Sequence, residues 1–327
     1  MISIKMKKIL TQFFCIALGA LSYSAYSQEF PPKKTITMVV GFAAGGAADT
    51  AARIISKKLS ENIGANVVVD NRGGAGGNIA HQFAANGPTD GGTILFGSVG
   101  PLTIAPHMMK LPYDPFKDLA PITMGVNFPN ILVVNSGTGI KTFAEYIAYA
   151  KKNPKKLEYA STGPGSASHL AGELLDEMAG IDTVHIPYKG GAPAMQDLLG
   201  ERVAAYFSTY STAKAYIENG KLIPLAVTGP QRLKSLPKVP TIAESGFPGF
   251  NAINWYAFVA SSKVPASILD RWNAEIVRVL KSPDVISQLN DHGLTPMPTS
   301  REELAKYMVK ESATWGSLIR EKKITGE

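Results

Sequence analysis

Cysteine is almost absent from this chain, because Cys15 is the only one among 327 residues. It lies in an apolar run over residues 9–21, which follows three lysines and is too short to span a bilayer. Ala-Tyr-Ser at residues 25–27 resembles the small-residue site where a secretory signal is cleaved. We therefore predict a signal peptide over residues 1–27 and a mature periplasmic protein without disulfides, thiol nucleophiles or cysteine-bound metals.

Charge is sparse and is not clustered. Charged residues make up 18% of the chain, and the net charge of +7 is spread over short lysine pairs instead of one basic run. A nucleic-acid interface needs clustered cations with interleaved aromatics, so we expect no nucleic-acid partner. The histidines show no spacing typical of metal ligands. We expect neither a metal nor a cofactor.

Motifs for nucleotide binding and acyl transfer are also missing. The chain has no G-x-x-x-x-G-K-[ST] loop and no G-x-G-x-x-G loop, since Ser168 stands where a third glycine would follow residues 163–165. It has no G-x-S-x-G elbow either. One enzymatic alternative stays open, a secreted hydrolase with Ser166 or Ser168 as nucleophile and His169 as base. The competing interpretation makes Ser168 a helix N-cap and His169 a neutral hydrogen-bonding wall.

Glycine, in contrast, is abundant in loops that precede predicted helices. The clearest loop is Val-Val-Gly-Phe-Ala-Ala-Gly-Gly-Ala-Ala-Asp at residues 39–49, where an apolar strand ends and a helix begins near Asp49. Similar loops occupy residues 73–78, 161–166 and 190–193. Small side chains let backbone N–H groups approach a ligand, and a helix N-terminus favours an anion. The loops predict a protein that holds an anion with backbone dipoles, while Asp49 is expected to stabilise its own helix.

Strand and helix patterns alternate along the chain and predict an α/β fold whose mostly parallel sheets are flanked by helices. Apolar residues recur at helical spacing from Ala48 to Ile63, until Gly64 stops them. Thr142 with Glu145 predicts a capping box at the start of a later helix.

The alternation breaks twice, at the proline-rich residues 101–130 and 229–250, which the sequence predicts to be irregular. We expect the chain to pass between two lobes near the apolar runs that follow these breaks, residues 131–134 and 255–259. Lobe 1 is predicted over residues 28–130 and 252–327, and lobe 2 over residues 131–251. Ligands of open α/β sheets bind beyond the carboxyl ends of the strands, where the glycine-rich loops lie, so the ligand cleft is expected between the lobes.

The mature chain carries, in order, the motifs Gly45-Gly46 with Asp49 and Arg53, Asp70-Asn71-Arg72 followed by Gly74-Ala75-Gly76-Gly77, Tyr113-Asp114-Pro115-Phe116-Lys117-Asp118-Leu119, Ser168-His169-Leu170, Tyr188-Lys189-Gly190-Gly191-Ala192-Pro193-Ala194, and Pro240-Thr241-Ile242-Ala243-Glu244 with Gly246. Together they resemble the Bug family, the extracytoplasmic solute receptors of tripartite tricarboxylate transporters. The resemblance covers essentially the whole mature chain.

The resemblance implies a type II-like, two-lobe periplasmic binding fold that closes on a small organic acid and catalyses nothing. It implies that one carboxylate group of the ligand is bound near the first loop and near the end of a later strand, partly through ordered water. The membrane components of a tripartite tricarboxylate transporter are the implied partners, and we expect a monomer. The ligand-binding residues that it implies are Phe42, Ala43, Ala44, Gly45, Asn78, Ser98, Ser166, Ser168, His169, Tyr188, Gly191 and Ala192.

Ser208 adds an expectation about the ligand. Many relatives carry an acidic residue there, after the strand that ends at Phe207, and an acid could meet the ammonium group of an amino acid. The serine favours a dicarboxylate, tricarboxylate or aromatic carboxylate, and we include it among the expected ligand contacts.

Other roles stay open for some of these residues. Asn78 could cap its helix, and Tyr188 could be ordinary packing. Of Trp255 and Tyr256, one ring could face the cleft. A receptor that passes its ligand to a signalling partner would share every one of these features.

Overall fold

Strands and helices alternate along the chain, as the sequence predicts. The computed structural model describes residues 30–321 and residue 324; the predicted signal peptide, residues 1–27, lies outside the described residues. The strands are β1 (Thr35–Val40), β2 (Asn66–Asn71), β3 (Thr93–Ser98), β4 (Leu119–Asn135), β5 (Glu158–Ser161), β6 (Val184–Pro187), β7 (Ala205–Thr209), β8 (Leu222–Val227), β9 (Ile253–Ser261) and β10 (Thr295–Pro296). The helices are α1 (Ala47–Ile63), α2 (Asn78–Ala85), α3 (Ala105–Met108), α4 (Phe143–Lys152), α5 (Ala167–Ala179), α6 (Gly191–Leu199), α7 (Tyr210–Glu218), α8 (Ala266–Leu280), α9 (Pro283–Asp291) and α10 (Arg301–Glu321).

The strands form two sheets that share β4. The first has the order β2-β1-β3-β9-β4, with β10 also paired to β4. The second has the order β4-β7-β5-β6, with β8 also paired to β4. Strands β2, β1 and β3 run parallel, as do β6, β5 and β7, whereas the pairs made by β4 and β9 are antiparallel. The α/β class is confirmed. The predicted parallel pairing occurs among β1, β2 and β3 and among β5, β6 and β7, and not in the shared strand β4.

Strand β4 joins the two sheets without a break. Residues 119–129 pair with β9, and residues 130–135 pair with β7 and β8. The sequence-based prediction that residues 101–130 are irregular is wrong for the part that lies in β4. Pro121 lies beside a register shift and Pro129 forms the last pair with β9, so both prolines occupy positions where a missing N–H is tolerated.

Three chain segments meet where β4 changes its partners. The Thr228 N–H donates to the Asn130 carbonyl at 3.0 Å, and the Thr228 hydroxyl donates to the Ala252 carbonyl at 3.0 Å. Asn130 and Ala252 lie just before the two apolar runs, residues 131–134 and 255–259, where the sequence predicts passage between the lobes. The lobe boundaries themselves stay a prediction, which the change of strand partners supports.

Local signals in the sequence position the helices as expected. Gly64 ends α1 in a left-handed conformation with φ 67°, and its N–H donates to the Ser60 carbonyl at 3.0 Å. Thr142 and Glu145 make both hydrogen bonds of the predicted capping box before α4. Within the described part of the chain, no helix is both long and apolar enough to cross a membrane.

Candidate functional site

A small cavity of about 20 Å³ lies where the two sheets meet. Its wall is built from strand ends and from the turns that follow them: Phe42, Ser98, Val99, Gly100, Asn130, Thr162, Ala167, Ser168, Tyr206, Phe207, Thr209, Asn254 and Tyr256. Among the described residues that line it, none is charged. An anion bound there would therefore be held by neutral donors.

Three polar side chains on this wall are buried and have unpartnered atoms. The Ser98 hydroxyl, both amide atoms of Asn130 and the amide oxygen of Asn254 have no hydrogen-bond partner in the described structure. Their residues are 3%, 1% and 8% exposed, respectively. A buried polar group without a partner costs about 1–3 kcal/mol, so these three side chains require a polar partner in the cavity, which a ligand or an ordered water can supply.

The backbone holds two of these side chains against the cavity. The Asn130 N–H donates to the Thr228 hydroxyl at 2.9 Å, so the asparagine main chain is fixed while its carboxamide stays free. The Ser98 N–H donates to Nε2 of His81 at 3.2 Å, and Nδ1 of His81 hydrogen-bonds the Gly77 carbonyl. Complete burial lowers the pKa of His81 to about 4, so this ring is neutral and serves as a fixed acceptor for the strand end.

Aromatic rings form the apolar part of the wall. The Tyr256 ring centroid lies 5.2 Å from that of Phe96 and 5.0 Å from that of Phe128, which fixes its position on the first sheet. Tyr206 approaches from the second sheet. Burial raises the pKa of both tyrosines, so both phenols stay protonated and can donate to an anion.

Hydroxyl groups cluster where α5 begins. Ser166 is the N-cap, since its hydroxyl accepts from the His169 N–H at 3.3 Å. The alternative prediction that Ser168 is the N-cap is therefore wrong. The Ser168 hydroxyl instead accepts from the Thr162 N–H at 2.9 Å and lies 3.1 Å from the Ser166 hydroxyl. The cluster places Ser168 on the cavity wall at a helix N-terminus, where the helix dipole favours an anion.

His169 lies behind this cluster, and both of its ring nitrogens are engaged. Nδ1 accepts from the Gly165 N–H at 3.1 Å, and Nε2 lies 3.5 Å from the Glu173 carboxylate. Although burial alone would raise the pKa of Glu173, its hydrogen bonds with His169 and with Tyr159 lower it. The histidine therefore holds the loop before α5 in place, and neither ring nitrogen is directed at a nearby serine hydroxyl as a base would be.

A second serine and histidine do make contact in this region. The Ser161 hydroxyl hydrogen-bonds Nε2 of His185, whose ring stacks on that of His169 with 4.0 Å between centroids. Burial, reinforced by the neighbouring His169, lowers the pKa of His185 to about 3. A base this weak does not activate a hydroxyl at neutral pH, and Ser161 is completely buried.

The first glycine-rich loop satisfies its own donors. The Gly45 N–H donates to Asp49 at 3.0 Å, and the same carboxylate pairs with Arg53 at 2.9 Å. Although burial alone would raise the pKa of Asp49, the hydrogen bonds from Arg53 and from the Gly45 N–H lower it. The expectation that Asp49 stabilises its own helix start is thus confirmed. Of the predicted residues in this loop, only Phe42 lines the cavity, and Ala44 is exposed.

The first loop also contacts the loop before α6, which follows the second sheet. The Ala43 N–H donates to the Lys189 carbonyl at 3.1 Å. A Cβ built on Gly73 would lie 2.7 Å from the same carbonyl, and one built on Gly190 would lie 2.7 Å from the Ala43 nitrogen. Two of the sequence's glycines are therefore needed because backbones from the two sheets approach closely here.

The remaining predicted site residues lie around the cavity or behind it. The Asn78 amide donates to the Ala75 carbonyl at 2.7 Å and accepts from the Tyr113 hydroxyl at 2.8 Å. The Tyr188 hydroxyl donates to Asp197 at 2.7 Å, and that of Ser208 to the Thr209 carbonyl at 3.1 Å.

Gly191 and Ala192 lie at the start of α6, against the first loop. The structure thus brings Phe42, Ser98 and Ser168 to the cavity wall, and the ligand roles of the other predicted residues stay predictions.

Sequence reasoning missed Asn130 and Asn254, the two most polar residues of the wall. Each stands beside an apolar run, Ile-Leu-Val-Val at residues 131–134 and Trp-Tyr-Ala-Phe-Val at residues 255–259. An amide next to a buried strand, at a place where the chain passes between lobes, was the available signal. Within the residues that the structure describes, no cluster of histidine, aspartate and glutamate could hold a metal ion.

Solved structures of periplasmic binding proteins share this fold. A Rhodopseudomonas palustris protein solved with adipate is 33% identical, with a TM-score of 0.86 and coverage of 91% of this chain and 99% of that one. MatC from the same species, solved with bound malate, is 30% identical, with a TM-score of 0.83 and coverage of 87% and 98%. The molecule is therefore an α/β protein of the two-lobe periplasmic binding class.

Sequence comparison places the chain within that class. The model of the tripartite tricarboxylate transporter family receptor matches residues 51–324, and the chain belongs to this family. A protein from the tcbD–tcbE intergenic region of Pseudomonas sp. strain P51 is 38% identical over 94% of this chain and 92% of its own length. BugT of Bordetella pertussis is 34% identical, with coverage of 90% and 91%. The predicted resemblance to the Bug family is confirmed.

Proposed function

We propose that this protein is a periplasmic receptor that captures a small organic carboxylate between its lobes and delivers it to the membrane components of a tripartite tricarboxylate transporter. The observation that carries the proposal is the uncharged cavity between the two sheets, whose wall holds the unpartnered side chains of Ser98, Asn130 and Asn254. Its family membership and the adipate and malate bound to similar proteins support the carboxylate class.

Neutral donors are sufficient for such a ligand. A hydrogen bond to a charged group contributes about 1.5–3 kcal/mol, and micromolar binding requires about 8 kcal/mol in total. The Ser98 hydroxyl, the two asparagine amides and the two tyrosine phenols supply five donors of this kind, against which the cost of ordering the ligand is set. The α5 N-terminus at Ala167 adds a favourable field for an anion.

The receptor function includes no chemical step. The hydrolase alternative requires His169 to act as a base, whereas its ring nitrogens are held by the Gly165 N–H and the Glu173 carboxylate. Binding followed by lobe opening is sufficient for delivery to a transporter. Export through a signal peptide at residues 1–27 would place the protein in the compartment where such receptors act.

A binding screen tests the proposal. The protein is expressed with residues 1–27 in place, recovered from the periplasmic fraction, unfolded and refolded to remove retained ligand, and heated with a panel of carboxylates. The panel contains C3–C6 dicarboxylates, tricarboxylates, acidic amino acids and benzoate derivatives, with the corresponding primary amides as uncharged controls. Ligand at 100 times its Kd adds about 2.7 kcal/mol to the stability, which raises Tm by several degrees.

A saturable rise in Tm with one carboxylate class, no rise with its amides and no consumption of the compound are the expected results. Turnover of any compound, lost in the His169→Ala variant, would support the hydrolase instead. A protein that stays in the cytoplasm with residues 1–27 uncleaved would contradict the proposed location.

A further inference from the structure

The two asparagines on the cavity wall present unpartnered acceptors as well as donors. Each carboxamide has one oxygen, which only accepts, and one NH2 group, which only donates. Both atoms of the Asn130 amide and the oxygen of the Asn254 amide are buried without a partner. Rotating the Asn130 amide by 180° still leaves its oxygen buried without a donor, whereas rotating the Asn254 amide would exchange its unpartnered oxygen for the NH2 group. In every orientation, at least the Asn130 oxygen needs a donor.

The two amides lie next to each other where β4 passes from the first sheet into the second. Asn254 is paired across the strands with Phe128, and Asn130 follows Phe128 by two residues, so both asparagines share a face with that ring. The Phe128 ring in turn contacts Tyr256, another wall residue. The carboxamides therefore form one polar patch of the wall, bounded by aromatic rings.

An ionised carboxylate alone does not satisfy this patch. Its oxygens only accept, so they can take the NH2 groups but leave the Asn130 oxygen, and that of Asn254 in its present orientation, without a donor. An ammonium group would supply donors, but the described lining residues include no carboxylate that could balance its charge in the cavity. A hydroxyl group both donates and accepts, and it carries no charge.

We propose that the ligand is a hydroxycarboxylate whose hydroxyl group donates to the carboxamide oxygen of Asn130 or Asn254 and accepts from the NH2 group of the other. This inference rests on the proposed receptor function and makes its ligand class more specific. The carboxylate is then held by the other donors of the wall, such as Ser98.

Matched pairs of ligands that differ by one hydroxyl group test the inference. Malate is compared with succinate, citrate with propane-1,2,3-tricarboxylate, and 3-hydroxyadipate with adipate, each by calorimetric titration of the refolded protein. We expect the hydroxylated member to bind at least about tenfold more tightly in the pair that fits the cavity, because its analogue leaves buried acceptors unpaired.

Two variants link the preference to the asparagines. Asn130→Leu and Asn254→Leu replace each amide by an apolar group of similar size. In both, we expect the tenfold preference to fall to about twofold or less, while Tm without ligand stays equal or rises because a buried unpartnered group has been removed. Asn290→Leu, on the exposed end of α9, is the matched control and should keep the preference.

The outcomes separate this inference from the proposed function. Equal or tighter binding of the unsubstituted acids would overturn the hydroxyl inference and leave the receptor function standing. Tighter binding of aspartate than of malate would overturn it in favour of an ammonium group. A preference that persists in both leucine variants would also overturn it. Failure of every carboxylate to bind would overturn the proposed function as well.

Discussion

The backbone N–H groups of the glycine-rich loops and the polar side chains of the cavity wall differ in whether they have hydrogen-bond partners. In the loops, the Ala43 N–H is bonded to the Lys189 carbonyl and the Gly45 N–H to the Asp49 carboxylate. On the wall, the polar atoms of Ser98 and Asn130 are buried without partners. Satisfied groups stabilise the molecule, whereas buried unpartnered groups cost stability and are retained where a ligand will satisfy them.

The glycine-rich loops and the cavity wall therefore have separate roles, although the sequence motifs predict a single site. The loops hold the two sheets in contact through backbone atoms, and the wall recognises the ligand through side chains. Single substitutions should therefore affect separately the contact between the two loops on lobe closure, the recognition of the ligand and the stability of the free protein.

Gly73→Ala should have the largest effect, because it acts on closure. Its Cβ would lie 2.7 Å from the Lys189 carbonyl, a backbone atom of the opposite loop, so the two loops could not reach their present contact. We expect ligand affinity to fall by about 100-fold, equivalent to about 2.7 kcal/mol, with a smaller change in the Tm of the free protein. Calorimetry and thermal unfolding measure the two quantities.

Gly46→Ala is the matched control for that variant. Gly46 lies in the first loop with φ −89°, and its added Cβ would have no neighbour closer than 3.6 Å, which is ordinary contact. Its affinity should stay within about twofold of the wild type. Equal losses in both variants would contradict the closure role of Gly73.

Ser98→Ala should remove one ligand contact and little else. Its hydroxyl has no partner in the described structure, so the free protein should lose no stability, while affinity should fall by about tenfold. Ser168→Ala is the contrasting variant. The Ser168 hydroxyl accepts a hydrogen bond from the Thr162 N–H within the protein, so removing this hydroxyl should lower the Tm of the free protein as well as the affinity. Ser235→Ala, on an exposed loop, should change neither quantity. A drop in Tm for Ser98→Ala without a change in affinity would contradict its assignment to recognition.

Asp49→Asn should affect stability and not recognition. Hydrogen bonds from Arg53 and from the Gly45 N–H lower the pKa of Asp49 against the opposing effect of burial, so the ionised carboxylate stabilises the fold above its unfolded pKa of 3.8. This contribution is lost as the pH falls through the lower, folded-state pKa. Because Arg53 is largely exposed, we expect a cost of only about 1 kcal/mol at pH 7.

Denaturant unfolding at pH 7 and pH 3 measures this difference, which should narrow at the lower pH. Asp70→Asn, which removes a partly exposed pair with Arg72, should cost less than about 0.5 kcal/mol at both pH values. If Asp49→Asn lowered the free energy of unfolding equally at both pH values, the position would require the shape of the side chain and not its charge.

Tyr188→Phe should have the smallest effect. The Tyr188 hydroxyl is bonded to Asp197, outside the cavity wall, in a partly exposed setting. We expect affinity to stay within about twofold and stability within about 0.5 kcal/mol. A tenfold loss of affinity would restore the sequence-based prediction that Tyr188 contacts the ligand and would extend the recognition region into the loop before α6.

Local rules made the fold largely predictable from the sequence. Helix ends at Gly64 and the capping box at Thr142 depend on residues close in the chain, so they could be located without a structure. The sequence-based prediction missed part of β4 because this segment contains prolines. They are tolerated there because of how β4 pairs with β9, which is distant in the chain.

The site was harder to predict for the same reason. Glycine-rich loops are visible in the sequence, but whether their N–H groups face a ligand or each other depends on how the two sheets meet. The Lys189 carbonyl, which takes the Ala43 N–H, is far away in the chain. The importance of Asn130 likewise arises from the meeting of three segments at Thr228, of which the sequence shows only that an amide stands beside an apolar run.

A crystal structure with the best carboxylate from the binding screen tests the central claim most directly. The account predicts ligand oxygens within hydrogen-bonding distance of the Ser98 hydroxyl and of the Asn130 and Asn254 amides, with the Gly45 N–H still bonded to Asp49. A ligand bound instead by the N–H groups of residues 43–45, with the asparagine amides left unpartnered, would contradict it.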